Sequence, residues 1–327
     1  MNGPVTVIGG ANMDINGFSL ESLNMADSNP GKVVYCPGGV GRNIAENLCR
    51  LGTEVRFIGV IGDDPGGELL KNSSGRMGLN IEHSLFLSCG LTSKSLTPRN
   101  VTSVYIALMD SNGEMRLALA DMDIMEEMTE EHLMSKAKVI MESAIVVLDA
   151  NLPERIITFI LDKFGAGLPG RGQSGGRRPL FFMDPVSARK APRAASRIGA
   201  FDTLKLGRME AAVLTGAETP DTRKELDDAA SHLIGKGVRR VFITLGKEGA
   251  YAANARTSTY RAARHVQPLN TSGGGDAFMA GIVYGTLCGW DEETTVSFSL
   301  AMSRITVQSI STVSPEMSLE LVRKNME

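Results

Sequence analysis

The segment Pro37–Gly62, PGGVGRNIAENLCRLGTEVRFIGVIG, decides the fold class. Val40, Ile44, Leu48 and Leu51 recur at the spacing of one helix face, and Gly52 stops that helix. Val55–Ile61 then forms an apolar run of strand length. The same alternation extends in both directions. Val5–Ile8, ending in Gly9-Gly10, precedes it, and Ala144–Leu148, Leu180–Met183 and Val241–Leu245 follow. Strands apolar on both faces and separated by helical patterns predict an α/β fold, a mostly parallel sheet covered by helices on both sides.

Two regions break this rhythm. Residues 16–37 are polar and rich in Ser, Asn, Asp and Gly. Residues 91–121 hold Val101–Met109, the turn Asp110-Ser111-Asn112-Gly113, and Arg116–Ala120, which read as a hairpin. Together they predict a small β-sheet lid inserted into one 327-residue domain; two long surface loops are the alternative. Leu168–Pro179, which carries Arg171–Arg178, reads as a solvated connection.

Composition narrows the function. A formal net charge of −3, from 34 Lys+Arg against 37 Asp+Glu, lacks the basic footprint of a nucleic-acid binder. Cys36, Cys49, Cys89 and Cys288 form no CxxC pair, so free thiols in a reducing compartment are expected. His83, His132, His232 and His265 lack metal-ligand spacing. No apolar run is long enough to span a bilayer, and Val5–Ile8 follows no charged leader, so no membrane association and a cytoplasmic location are expected.

Candidate site residues fall at predicted element ends, where open α/β sheets bind ligands. Gly273-Gly274-Gly275-Asp276 opens a helical stretch. Its glycines let backbone N–H groups crowd an anion at a helix N-terminus, with a carboxylate as proton acceptor beside them. Asp276 as an ordinary N-cap is the plain alternative. Asn12 and Asp14, after the first strand, offer a donor and an acceptor to sugar hydroxyls. Gly38 and Gly39 permit close backbone approach, and Asn43 lies on the following helical turn. Asp184 and Glu210 are candidate magnesium carboxylates. Thr244, Gly246 and Gly249 fit under a nucleotide, and equally fit a hairpin turn.

These motifs, in this order, resemble the PfkB (ribokinase-like) family of sugar and nucleoside kinases, most closely its pseudouridine kinase branch. The branch is carried by Ala11–Asp14, Glu21–Lys32, Pro37–Asn47, Asn112–Met115, Asp121-Met122 and Asp184–Ala188. The resemblance implies a three-layer α/β/α core and ATP-dependent phosphorylation of the ribose 5′-hydroxyl of pseudouridine. Ribose, inosine, adenosine or uridine would be the substrates of a sister kinase, and a nucleoside-binding pseudokinase is the non-catalytic alternative. It further implies Asp276 as base, Gly273–Gly275 as anion hole, and Asp14, Asn43, Asn12, Gly38 and Gly39 around the ribose. Thr102 and Ser103 would face the uracil; Thr244, Gly246 and Gly249 would line ATP. Mg2+ would bridge the phosphates, K+ or another monovalent cation would sit by Asn270 and Ser272, and the lid would form a homodimer contact. Two positions depart from the family pattern. Gly274 replaces alanine, and Leu206-Gly207 replace Pro-Asn; the second departure predicts weaker magnesium dependence or a higher metal requirement.

Overall fold

The structure, a computed structural model, describes residues 3–90, 99–112, 114–165 and 178–326. Part of the expected lid (91–98), Gly113 of the Asn-Gly turn, and all but the last residue of Arg171–Arg178 lie outside the described residues.

The strands in chain order are β1 (Val5–Ile8), β2 (Asn12–Ser19), β3 (Gly31–Gly38), β4 (Val55–Ile58), β5 (Val60–Gly62), β6 (Leu85–Leu87) and β7 (Val104–Met109). There follow β8 (Met115–Asp121), β9 (Ile145–Asp149), β10 (Leu180–Asp184), β11 (Thr203–Gly207), β12 (Arg240–Thr244), β13 (Ala250–Asn254) and β14 (Ser258–Arg261). The main sheet has the order β14-β13-β12-β11-β10-β9-β1-β4. Six strands, β4 to β12, run parallel, with β13 and β14 antiparallel at one edge. Val5 of β1 stands between Val55 and Ile145.

Because side chains alternate along a strand, the sheet feeds two cores. Val5, Val7, Ile145, Val147 and Phe182 pack with the helices Val40–Arg50, Gly274–Cys288 and Glu292–Val307. Ile8, Val146, Leu148, Phe181 and Met183 pack with Glu154–Phe164, Arg208–Thr215 and Arg223–Gly235. Each fully buried side chain of this size contributes roughly 1.5–3 kcal/mol of burial free energy. The outcome is the three-layer α/β/α arrangement expected.

Val55–Ile61 is not one strand. It breaks at Gly59, whose N–H donates to Ser84 Oγ at 3.1 Å and where a Cβ would stand 2.7 Å from the Phe57 ring. Beyond the break, β5 leaves the main sheet and pairs with β6. A second sheet has the order β3-β2-β7-β8. It begins at Asn12, inside the Asn12-Met13-Asp14 stretch, because that stretch alternates polar and apolar residues like a half-buried strand. The parallel strands all point their carboxyl ends at one rim, and the second sheet rises beside it.

Candidate active site

Two helix N-termini converge at the rim. Gly273 caps the helix Gly274–Cys288 with φ 80°, and a Cβ there would sit 1.8 Å from the Thr312 carbonyl oxygen, so only glycine fits. Asp276 is the third helical residue, and no side chain caps this helix, which sets the N-cap alternative aside. Its buried carboxylate instead accepts from Asn43 Nδ2 at 2.9 Å. Asn43 lies in the first turn of the helix Val40–Arg50, and its Oδ1 accepts from Thr312 Oγ1 at 3.4 Å.

Burial pushes the Asp276 carboxyl up to about 7. The Asp184 and Asp149 carboxylates push the same way, while Lys205 and the Asn43 hydrogen bond oppose them. Lys205, on β11, is buried, and its Nζ lies 2.9 Å from Asp184 Oδ2. The same ammonium stands 2.8 Å from the place a Gly275 Cβ would occupy, so it lies directly on the glycine loop. Burial works against its charge, but the carboxylates of Asp184, Asp276 and Glu210 outweigh burial and hold its pKa above the ordinary lysine value.

Asp14 and Asn12 are joined at the start of β2, Asn12 Nδ2 donating to Asp14 Oδ1 at 2.6 Å. Burial raises the Asp14 carboxyl to about 6, against the Asn12 hydrogen bond and the Arg42 charge. A Cβ on Gly38 would stand 2.2 Å from Asp14 Oδ2; Gly39 has φ 97° and would press a Cβ to 2.5 Å from the Gly10 carbonyl oxygen. Gly38 therefore backs the carboxylate closely, and Gly39 packs against the Gly10–Ala11 backbone. Thr102 and Ser103 follow nearby but differ in kind. Thr102 Oγ1 accepts from the Gly62 N–H at 3.0 Å, a structural bond, whereas the buried Ser103 hydroxyl has no partner among the described residues.

On the other flank, Gly207 and Thr244 are neighbours in the β11–β12 pair. Gly246 (φ 59°) and Gly249 (φ 120°) shape the connection from β12 to antiparallel β13, so the hairpin geometry is present and does not by itself decide on a nucleotide. Glu210 Oε2 folds back to 2.3 Å from where a Gly207 Cβ would be, filling the space that a larger residue would take. Asp184 uses both oxygens, Oδ1 accepting from the Val186 N–H at 2.9 Å and Oδ2 from Lys205. No group of three His, Cys, Asp or Glu side chains stands ready for a metal among the described residues. These acids therefore suit a metal held through water and substrate phosphates, not a closed protein cage. Asn270 spends its amide on the loop, donating to the Ile310 carbonyl at 2.9 Å and accepting from the Ser272 N–H at 2.9 Å.

The structure thus gathers Asp276, Gly273–Gly275, Asn43 and Asp184 at one point, with Asn12, Asp14, Gly38 and Gly39 forming a second group on the second sheet. It does not bring Glu21–Lys32 there. That segment joins the far ends of β2 and β3, where Ser19 pairs with Gly31, whereas Asn12 pairs with Gly38 at the near end. Seven residue steps along the strand separate the two, roughly 23 Å. The loop is closed on itself, Asn29 accepting from the Asn24 N–H at 2.7 Å and returning a bond to the Asn24 carbonyl at 3.0 Å.

Two site residues escape the motif reading. Lys205, on β11, opens the Lys205–Glu210 stretch that points to Glu210, and the sequence gives the lysine itself no role. Asp149 ends β9 as Asp184 ends β10, and that parallel position was the available signal. It accepts from the Gly10 and Asn151 N–H groups, both at 2.8 Å, and burial lifts it to about 6. Gly9 would place a Cβ 2.3 Å from its Oδ2, and Gly10 would place one 2.7 Å from Asn151 Nδ2, which explains the glycine pair after β1.

Known proteins resemble this chain along nearly its whole length. The pfkB family carbohydrate kinase model matches residues 3–318. The chain is 33% identical over 316 residues to the pseudouridine kinase of Escherichia coli (strain K12), covering 96% of this chain and 94% of that protein. A carbohydrate kinase from Agrobacterium tumefaciens superposes with a TM-score of 0.77 at 25% identity, covering 99% of this chain and 97% of that one. The fold is also that of an Arabidopsis thaliana ribokinase solved with ribose and ATP, at a TM-score of 0.78 and 20% identity over 100% of this chain and 99% of that one. The chain belongs to the pfkB family of carbohydrate kinases, phosphotransferases with an alcohol group as acceptor.

Proposed function

We propose that this chain transfers the γ-phosphoryl group of ATP to the ribose 5′-hydroxyl of pseudouridine. The reaction rests on one observation above all: Asp276, a buried carboxylate raised to about 7, stands in the first turn of a glycine-capped helix with Lys205 beside it. The choice of nucleoside is supported by the Glu21–Lys32 segment and by similarity to a pseudouridine kinase.

In this reading Asp14 and Asn12 hold ribose hydroxyls, with Gly38 and Gly39 behind the sugar. Asn43 fixes the orientation of the Asp276 carboxylate. The 5′-hydroxyl donates its proton to Asp276, its oxygen bonds to the γ-phosphorus, and the bond to the bridging β,γ-oxygen breaks to release ADP. The Gly273–Gly275 amides and the Lys205 ammonium oppose the negative charge on the transferring group. A base raised to about 7 is matched to neutral pH, ionised yet able to keep a proton late in the transfer. Thr244, Gly246 and Gly249 flank the nucleotide. Magnesium, when bound, neutralises phosphate charge; Glu210, and Asp184 through water, are the side chains that would hold it. A monovalent cation would take carbonyl oxygens of the Asn270–Ser272 loop. The exposed face of the second sheet is the proposed contact of a homodimer.

A panel of pseudouridine, uridine, adenosine, inosine and ribose with ATP tests the proposal, the phosphorylated position being read by NMR. Pseudouridine is expected to give the highest kcat/KM and a 5′-phosphate. Preference for any other acceptor removes the substrate assignment, and ATP consumption independent of acceptor removes the reaction.

A further inference from the structure

One ion pair ties together the two segments that flank the proposed nucleotide. Arg208, directly after Gly207, sends its guanidinium across to Glu248, between Gly246 and Gly249. Nη1 reaches Glu248 Oε1 at 3.2 Å, and Nη2 reaches Oε2, a two-pronged pair. Nη1 also stands 3.7 Å from Asp221 Oδ1. Arg208 Nε is buried and has no partner among the described residues. Glu248 is about half exposed, and its backbone carbonyl accepts from Tyr260 OH at 2.8 Å.

The fork that fits a carboxylate fits a phosphate equally well, and a phosphate carries more charge. An ion pair open to solvent contributes little and exchanges readily. Gly246 (φ 59°) and Gly249 (φ 120°) shape the turn that carries Glu248, whose backbone is hydrogen-bonded while its half-exposed side chain is free to leave Arg208. Nothing in the transfer chemistry above uses either residue.

We propose that Arg208 is a phosphate ligand for the nucleotide, and that Glu248 is the internal anion it surrenders when a polyphosphate arrives. Arg208 turns from carboxylate to phosphate, and Glu248 lowers nucleotide affinity by competing for it. This rests on the kinase reading but adds a positioning pair to it.

Calorimetric titration of ATP, ADP and adenosine into wild type, Arg208→Ala, Glu248→Gln and the double variant tests it. Arg208→Ala should weaken ATP and ADP binding about tenfold, one charge-assisted contact, and leave adenosine unchanged. Glu248→Gln should tighten ATP about threefold, and that gain should vanish in the double variant. Unchanged or weaker ATP binding in Glu248→Gln, or a gain that persists without Arg208, overturns the competition. Arg208→Ala weakening adenosine as much as ATP overturns the phosphate role. Wild type that binds neither ATP nor ADP defeats the kinase reading itself and this pair with it.

Discussion

The rim of the main sheet and the outer face of the second sheet are built by opposite rules. At the rim, carboxylates and an ammonium are buried: Asp149, Asp184, Lys205 and Asp276 are all nearly closed to solvent. On the second sheet, apolar side chains are exposed. Tyr35, Ile15, Ile106 and Leu119 pair across the four strands in one row, and Val33, Gly17, Leu108 and Leu117 in the next. Tyr35 and Leu119 are 64% and 62% exposed. Burying charge is unfavourable unless it is paired, and it tunes acids for chemistry. Exposing a row of apolar groups is unfavourable unless something covers it. The contrast is one of construction, buried charge at the rim against exposed apolar rows on the second sheet, and it underlies the proposal of a reaction at the first and a contact between copies at the second.

The largest effect expected tests the rim. Asp276→Asn keeps the shape and the Asn43 contact but removes the proton acceptor, so kcat should fall about 10²–10⁴-fold while nucleoside binding persists. In wild type, kcat/KM should decline as pH drops through about 7, where Asp276 takes up its proton. The stability consequence has a definite sign. Burial pushes the folded carboxyl up to about 7, well above the ordinary aspartate range, so the fold favours the protonated form. That stabilisation is complete below the unfolded value and is lost as pH rises through 7. Thermal melts should therefore show Asp276→Asn gaining on wild type more at pH 8 than at pH 5. Near-normal turnover in the variant, or a melt difference that does not change with pH, would break the assignment.

A smaller effect tests the other surface. Leu119→Asp puts a charge at one end of the apolar row, on the edge strand β8. If the face joins two copies, self-association should weaken at least about tenfold, since an unpaired charge would have to be desolvated. Sedimentation equilibrium reads this directly. A wild type that is monomeric at micromolar concentration, or a variant that associates as before, would mean that the row has another use.

The sequence showed the body more clearly than the site, for physical reasons. Strands such as Val5–Ile8 and Ile145–Asp149 are apolar on both faces, so burial fixes them whatever lies far away in sequence. Gly273 and Asp276 were legible because a glycine loop before a helix is a local signal. Lys205 was not, because its meaning comes from Asp184 and Asp276, which only the fold places beside it. Val55–Ile61 looked like one strand because periodicity does not register a change of sheet at Gly59. The segment that speaks for the substrate, Glu21–Lys32, gave no sign of its position at the far end of β2.

The smallest effect concerns the departure at Gly274. Gly273 and Gly274 look alike in sequence but not in the loop. At Gly273 both the positive φ and the Thr312 carbonyl forbid a side chain. At Gly274 the backbone is helical, and an added methyl would meet only Val307 Cγ1 at 3.0 Å, the end of a side chain that needs to yield a few tenths of an ångström. Replacing glycine by alanine in a helix stabilises by roughly 0.5–1 kcal/mol, less whatever Val307 takes back. Gly274→Ala should raise Tm by about 1–3 °C and leave kcat within about twofold, since every amide of the anion hole remains. A lower Tm would show that Val307 cannot move. A large fall in kcat at unchanged Tm would show something sharper, that the charged rim needs the freedom of this glycine and that its rules differ from the exposed sheet even at the level of one methyl group.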